Sequence, residues 1–94
     1  MGEALRHCAD LKSVFRRHAG GWLDRESLGR VKELCARTAA SAHDPHTRFE
    51  IARVALYAEQ LYSHRGVRID LLRERILLSL ESVEDRLYAA SAPA

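Results

Sequence analysis

Residues 69–90, IDLLRERILLSLESVEDRLYAA, form the most strongly patterned stretch of the sequence. Large apolar residues recur in it at spacings of three and four, which at about 100° per residue places them along one side of a helix. This stripe consists of Ile69, Leu72, Ile76, Leu80, Val83 and Leu87. The pattern predicts a long amphipathic α-helix, against which the rest of the chain packs.

Three further leucines in this stretch lie off the stripe. Leu77 falls beside it, whereas Leu71 and Leu78 point to the opposite side of the helix. A helix at the edge of a small monomer normally carries polar residues there, so this second apolar surface predicts either two neighbouring helices or a partner molecule. We add Tyr88 to this candidate partner-binding surface. The solvent side of the helix is expected to carry an acidic ridge, formed by Glu74, Glu81, Glu84 and Asp85.

Three more helices are predicted before this one. Their expected limits are residues 2–18, 24–42 and 45–64, with the last helix at 70–90 and a frayed tail at 91–94. The first helix is expected to end at Gly20 and Gly21, because glycine adopts a left-handed C-terminal cap without steric cost. Asp24, Asp44 and Asp70 are the expected N-caps, and Pro45 after Asp44 fits the first position of a helix.

The third predicted helix is apolar on two sides. Its main stripe consists of Ile51, Val54, Ala55, Ala58, Leu61 and Tyr62, and Phe49, Ala52 and Leu56 form a second stripe roughly opposite. A helix of this kind is either central in its fold or shared with a partner. Phe49 and Leu56 therefore extend the candidate partner-binding surface.

These elements predict an all-α protein, an antiparallel four-helix bundle in a single domain over residues 1–94. We expect the third and fourth helices to be central, with the first two partly covering them. A chain of this length buries only about 60–65% of its unfolded surface. Sharing apolar surface in a dimer or partner interface through the third and fourth helices would therefore add stability.

Composition and charge exclude several classes of protein. The chain is 47% hydrophobic and 30% charged, which is typical of folded domains rather than disordered ones. A formal charge of +2 without a run of like charge gives little reason to expect nucleic-acid binding. No apolar run approaches the roughly 18 residues of a membrane helix, and residues 1–10 lack the apolar block of a secretory signal. We therefore expect a cytoplasmic protein.

Cysteines and histidines are the candidates for chemistry. Cys8 and Cys35 fall on inward helix faces and are interpreted as small buried hydrophobes, with a disulfide or a reactive or metal-bound thiol as alternatives. His43 and His46 flank Asp44 and could offer zinc or nickel three ligand atoms. That carboxylate is already needed as a cap, however, and no fourth ligand lies nearby, so we predict no metal. His7 and His18 on the first helix could approach a haem or a partner carboxylate.

No catalytic motif is recognisable, because no serine or cysteine is locally paired with a histidine in a nucleophile pattern. The leading hypothesis is a non-enzymatic protein–protein interaction module without a cofactor. It would be a homodimer, or a small adaptor, chaperone or immunity-type protein that binds a helix of its partner. The alternatives are a helical bundle that binds a small ligand, metal or haem through its histidines and, third, a weak nucleic-acid-binding regulator.

Overall fold

A computed structural model of the chain describes residues 2–17, 23–63 and 68–91. Within these residues four helices form: α1 (Glu3–Arg17), α2 (Arg25–Ser41), α3 (Pro45–Ser63) and α4 (Ile69–Ser91). No strand occurs in this part of the chain. The all-α prediction is therefore confirmed, and each helix end lies within one residue of its predicted position. The predicted stop at Gly20 and Gly21 and the end of the tail, residues 92–94, lie outside the described residues.

The helix starts of α2 and α3 follow from their aspartates. Asp24 has an extended backbone and its carboxylate accepts a hydrogen bond from the Ser27 amide at 2.7 Å, as an N-cap does. Asp44 accepts hydrogen bonds from the amides of His46 at 3.3 Å and Thr47 at 3.1 Å. These contacts satisfy amide groups that have no partner inside the first helical turn, so both predicted caps are confirmed.

The start of α4 differs from the prediction. The helix begins at Ile69, so Asp70 lies inside the first turn and is not the N-cap residue. Its carboxylate accepts a hydrogen bond from the Arg68 guanidinium at 3.2 Å, and this contact lowers the pKa of Asp70. An acid in the first turn still favours the helix, because it lies near the positive end of the helix dipole.

The four helices form a bundle in which α1 contacts α2, α2 contacts α3, α3 contacts α4, and α4 closes back on α1. The prediction that α3 and α4 are central is therefore wrong, although both helices are apolar on two sides. In this ring every helix has two neighbours and contributes buried side chains to one shared core. The outer sides of α3 and α4, which would be buried if these helices were central, are therefore exposed.

The direction of the helices stays a prediction, and individual contacts favour the antiparallel arrangement. The Cys8 thiol lies 3.5 Å from the Leu80 carbonyl oxygen, and Arg73 Nε donates to the Phe15 carbonyl at 3.3 Å. Residues later in α1 thus meet residues earlier in α4. Such a reversed order is expected where neighbouring helices run in opposite directions.

The core confirms the stripe that organises the sequence. Leu72, Ile76, Leu80 and Val83 of α4 are buried, and Ile69 and Leu87 pack against the core at its ends. Cys8 and Cys35 are free thiols in the same core, as the interpretation of small buried hydrophobes required. Burial raises the pKa of Cys8 to about 11 and that of Cys35 to about 12. Both thiols therefore stay protonated near neutral pH.

Candidate interaction surface

Large hydrophobic side chains that remain exposed in the described part of the chain all lie on α3 and α4. The exposed fraction is 58% for Phe49, 56% for Leu56, 40% for Leu71 and 58% for Leu78. In each helix the two residues are seven apart, about two turns, so they project from the same side. We call these four residues the α3·α4 face.

Packing explains why these side chains stay outside. Ile51, Val54 and Ala58 turn α3 towards the core, and a residue such as Leu56 then projects from the opposite side of that helix. In α4, Ile76 and Leu80 occupy the core and leave Leu78 between them on the outside. Burial of one face of an α-helix necessarily presents the other to its surroundings.

The other residues predicted for this surface take different positions. Leu77 is half-buried and packs against the core cluster, so only part of its side chain is available to a partner. Tyr88 is 60% exposed near the end of α4. Its position, ten residues after Leu78, turns it towards the α1 side of the helix. Tyr62, which the sequence pattern places in the inward stripe of α3, is exposed because it lies at the margin of that stripe.

Arg53 is a member of this surface that the sequence pattern did not identify. Its guanidinium lies 5.7 Å from the ring centroids of both Phe49 and Tyr57, within the range of cation–π attraction. It also donates a hydrogen bond to the Tyr57 hydroxyl at 3.0 Å and lies 3.5 Å from Glu50. The spacing of Phe49, Arg53 and Tyr57, four residues each, is the signal that would have revealed this stack.

The contact between Arg53 and Tyr57 changes the ionisation of both side chains. The hydrogen bond from Arg53 is the main cause that lowers the pKa of Tyr57, with a further contribution from Arg75 of α4. The same hydrogen bond raises the pKa of Arg53. Charged Arg53 is therefore favoured, and it lies beside the exposed Phe49 ring.

The acidic ridge of α4 is divided between two environments. Glu84 is paired with Lys12 of α1 at 3.1 Å and is partly buried, so this acid stabilises the contact between the two helices. Glu74, Glu81 and Asp85 are exposed or nearly so, and none of them has an ion pair with a described residue. These three carboxylates border the α3·α4 face on the side nearer α1.

On the other side of the face, α3 and α2 enclose a shallow apolar groove of about 380 Å³. The groove is lined by Cys35 and Ile51 and by four alanines, Ala36, Ala39, Ala52 and Ala55. Lys32 and Arg48 border it, with Lys32 paired to Glu59 and Arg48 Nε donating to the Ala42 carbonyl at 2.9 Å. The α2 side of α3 thus carries Arg48 and the Lys32–Glu59 pair, whereas the three acids on the α1 side of α4 have no ion pair with a described residue.

The structure does not assemble the weak metal candidates into a site. His43 and His46 are exposed, and the Asp44 carboxylate between them also accepts a hydrogen bond from the Thr47 hydroxyl at 2.9 Å. Arg86 lies 3.4 Å from that carboxylate as well. Over residues 2–17, 23–63 and 68–91, no three His, Cys, Asp or Glu side chains are grouped to hold a metal ion.

His7 has a buried Nδ1 atom without a hydrogen-bond partner among the described residues, and it lines a cleft with Glu3, Arg6 and Arg37 between α1 and α2. His18, its proposed companion, lies outside the described residues. Across the same described part of the chain, no helix has the length and apolar character required to cross a membrane.

Comparison with known proteins gives no further assignment. No family model matches the chain, and neither the curated proteins nor the solved structures contain a match to it.

Proposed function

We propose that the protein is a non-enzymatic protein–protein interaction module that binds its partner through the α3·α4 face. The observation that carries the proposal is the exposure of Phe49, Leu56, Leu71 and Leu78 on two adjacent helices. Scattered exposed hydrophobics are normal on any protein, but the large ones among the described residues are confined to two helices that contact each other, which favours an interaction site there. The partner is either a second copy of the chain or a helix of another protein, as in an adaptor, chaperone or immunity-type protein.

Further features of the face support binding rather than chemistry. An aromatic ring held against an arginine offers a rigid apolar contact, and such residues are frequent at the energetic centre of protein interfaces. The thiols that a nucleophilic mechanism would use are buried and have raised pKa values. Two free buried cysteines also agree with the cytoplasm as the proposed compartment.

The proposal is tested by placing a photoreactive amino acid at position 78 in cells that make the protein. We expect one dominant cross-linked species, either a dimer of the chain or an adduct with one other protein. The same amino acid at Ala9, an exposed residue on α1, is the matched control and should give no such species. Equal, diffuse labelling at both positions would contradict an interaction through the α3·α4 face.

A further inference from the structure

The outer sides of α3 and α4 repeat one short pattern. In each helix a large apolar residue is followed after four positions by an arginine and after three more by a leucine. The pattern consists of Phe49, Arg53 and Leu56 in α3, and of Leu71, Arg75 and Leu78 in α4. Positions i, i+4 and i+7 lie along one side of a helix. Each half of the α3·α4 face therefore has an arginine between its two apolar side chains.

The two arginines approach each other in the middle of the face. Arg53 donates a hydrogen bond to the Tyr57 hydroxyl at 3.0 Å. This hydrogen bond is the main cause that lowers the pKa of Tyr57, and Arg75 adds to the effect, so its guanidinium also lies close to the phenol. Arg75 is exposed, and 41% of the Arg53 side chain remains accessible. The centre of the face thus carries two cations that a partner can reach.

Acids within the chain leave part of this charge without a partner. Glu50 lies 3.5 Å from Arg53 and is buried, so it compensates one of the two cations from beneath the face. Arg75 forms no ion pair with a described residue. The exposed acids of α4 lie beyond Leu78, on the side away from α3: Glu74, Glu81 and Asp85. The face is therefore basic at its centre and acidic along its α4 edge.

Covering the apolar side chains also removes water from the arginines, because Arg53 and Arg75 lie between them. A charged side chain that loses water is destabilising unless an opposite charge pairs with it. A purely apolar partner would leave Arg75 without such a charge. The partner therefore has to supply an acid between its own apolar residues.

A second copy of the chain does not meet this requirement. In a two-fold pairing the same surface occurs on both sides of the interface. A contact that joins the apolar residues of both copies therefore places the centre of one face on the centre of the other, whichever way the axis runs. Arg53 and Arg75 of one copy would then lie against the same arginines of the other. Like charges in direct opposition disfavour this arrangement.

We propose that the partner of the α3·α4 face is an amphipathic helix of another protein, with an acidic residue at the centre of its apolar stripe. This inference rests on the proposed function and names the class of its partner. A helix that lies along the seam between α3 and α4 presents side chains at the same two-turn spacing as the apolar residues of the face. Its central acid pairs with Arg53 and Arg75. Its edge over α4 is basic or neutral, because that edge meets Glu74, Glu81 and Asp85.

An anionic lipid surface would also offer apolar contact and negative charge to the face. Such a surface is extended, however, and would place negative charge over the whole outer side of α4. Glu74, Glu81 and Asp85 would then be repelled by it. A helix confines its acid to the position of the two arginines, so these acids favour the helix over the lipid surface.

The test uses the purified full-length chain and two labelled helical peptides of about three heptads, with leucines at the a and d positions. The central leucine is replaced by glutamate in one peptide and by lysine in the other. Fluorescence anisotropy at low peptide concentration measures binding. We expect the glutamate peptide to bind with a dissociation constant lower by roughly tenfold or more. Arg75→Glu should reverse this preference, whereas Arg30→Glu, the same change at an exposed position of α2, should retain it.

The outcomes separate this inference from the proposed function. Equal affinity for the two peptides, or no binding of either, would overturn the acidic helix as the partner. One dominant adduct at position 78 in cells would then still uphold the interaction module, whereas diffuse labelling would remove both. Circular dichroism of each variant confirms that its helices are intact.

Two further measurements identify a different occupant. A wild-type chain that dimerises in sedimentation velocity, and stays monomeric as Leu78→Glu, would overturn the inference in favour of a second copy. Binding of the wild-type chain to vesicles that contain phosphatidylserine, lost in Leu78→Glu, would overturn it in favour of a lipid surface. We expect a monomer and no vesicle binding.

Discussion

Arg86, late in α4, places a guanidinium nitrogen 3.4 Å from the carboxylate of Asp44, the residue that caps the start of α3. The Asp44 side chain therefore caps the N-terminus of α3 and also contacts α4. Its charge is favoured by the hydrogen bond from the Thr47 hydroxyl and by amides of the first turn, which together lower the pKa of Asp44. The contact also joins the late part of α4 to the start of α3.

Asp44 should make stability depend on pH in a defined direction. Its pKa in the folded chain lies below the usual 3.8, so its stabilising effect is complete above that value and is lost as pH falls through the lower folded pKa. As the pH is lowered from about 4, we expect the melting temperature of the wild-type protein to fall more steeply than that of Asp44→Asn. Thermal melts at several pH values in this range measure the two slopes. Asp85→Asn is the control, and a wild-type slope equal to that of Asp44→Asn would show that the cap does not titrate as described.

Leu80 and Leu78 are neighbours in α4 with opposite environments, and they provide a matched pair. Leu80 is fully buried, so Leu80→Ala should lower the free energy of unfolding by about 2–5 kcal/mol. Leu78→Ala should change it by no more than about 0.5 kcal/mol in the dilute monomer, since its side chain is largely exposed. Urea unfolding at low protein concentration measures both. Similar losses in the two variants would mean that α4 is rotated from the orientation described.

The two thiols should react only when the chain unfolds. Cys8 and Cys35 are buried, and burial is the main cause of their raised pKa values, so little thiolate is present at mildly alkaline pH. We expect slow modification by a thiol reagent in native buffer and rapid modification of both residues in denaturant. Fast reaction of one thiol in the native protein would place that cysteine at the surface.

Arg53 should control the ionisation of Tyr57. Replacement by glutamine removes the guanidinium that is the main cause of the lowered phenol pKa, so the pKa of Tyr57 should rise towards its usual value of 10.0. NMR titration of the tyrosine ring carbons resolves Tyr57 from Tyr62 and Tyr88. Arg68→Gln, which removes an exposed arginine paired with Asp70, should leave the Tyr57 titration unchanged. An unaltered pKa in Arg53→Gln would show that the contact between Arg53 and Tyr57 is not formed.

Much of the fold follows from local signals in the sequence. The spacing of Leu72, Ile76 and Leu80 determines which side of α4 is buried, and the caps at Asp24 and Asp44 follow from hydrogen bonds within one turn. The second apolar side formed by Phe49, Leu56, Leu71 and Leu78 was also predicted, but the sequence left open whether a neighbouring helix covers it, and in the structure these side chains are exposed.

The remaining features depend on contacts between distant residues. Whether α3 and α4 are central is decided by the closure of α4 on α1, which helical periodicity does not encode. The pairing of Lys12 with Glu84 is equally invisible in the sequence, since 72 positions separate the two residues.

The central claim is that the α3·α4 face is covered by a protein partner, and alkylation of Leu78→Cys tests it most directly. The native thiols are buried, so the rate at position 78 can be compared with that of Ala9→Cys, both in cells and in the dilute purified chain. We predict similar rates at the two positions in the dilute chain and marked protection of position 78 alone in cells. Equal rates at positions 78 and 9 in cells would contradict the claim, because the face would then be open to solvent where the protein acts.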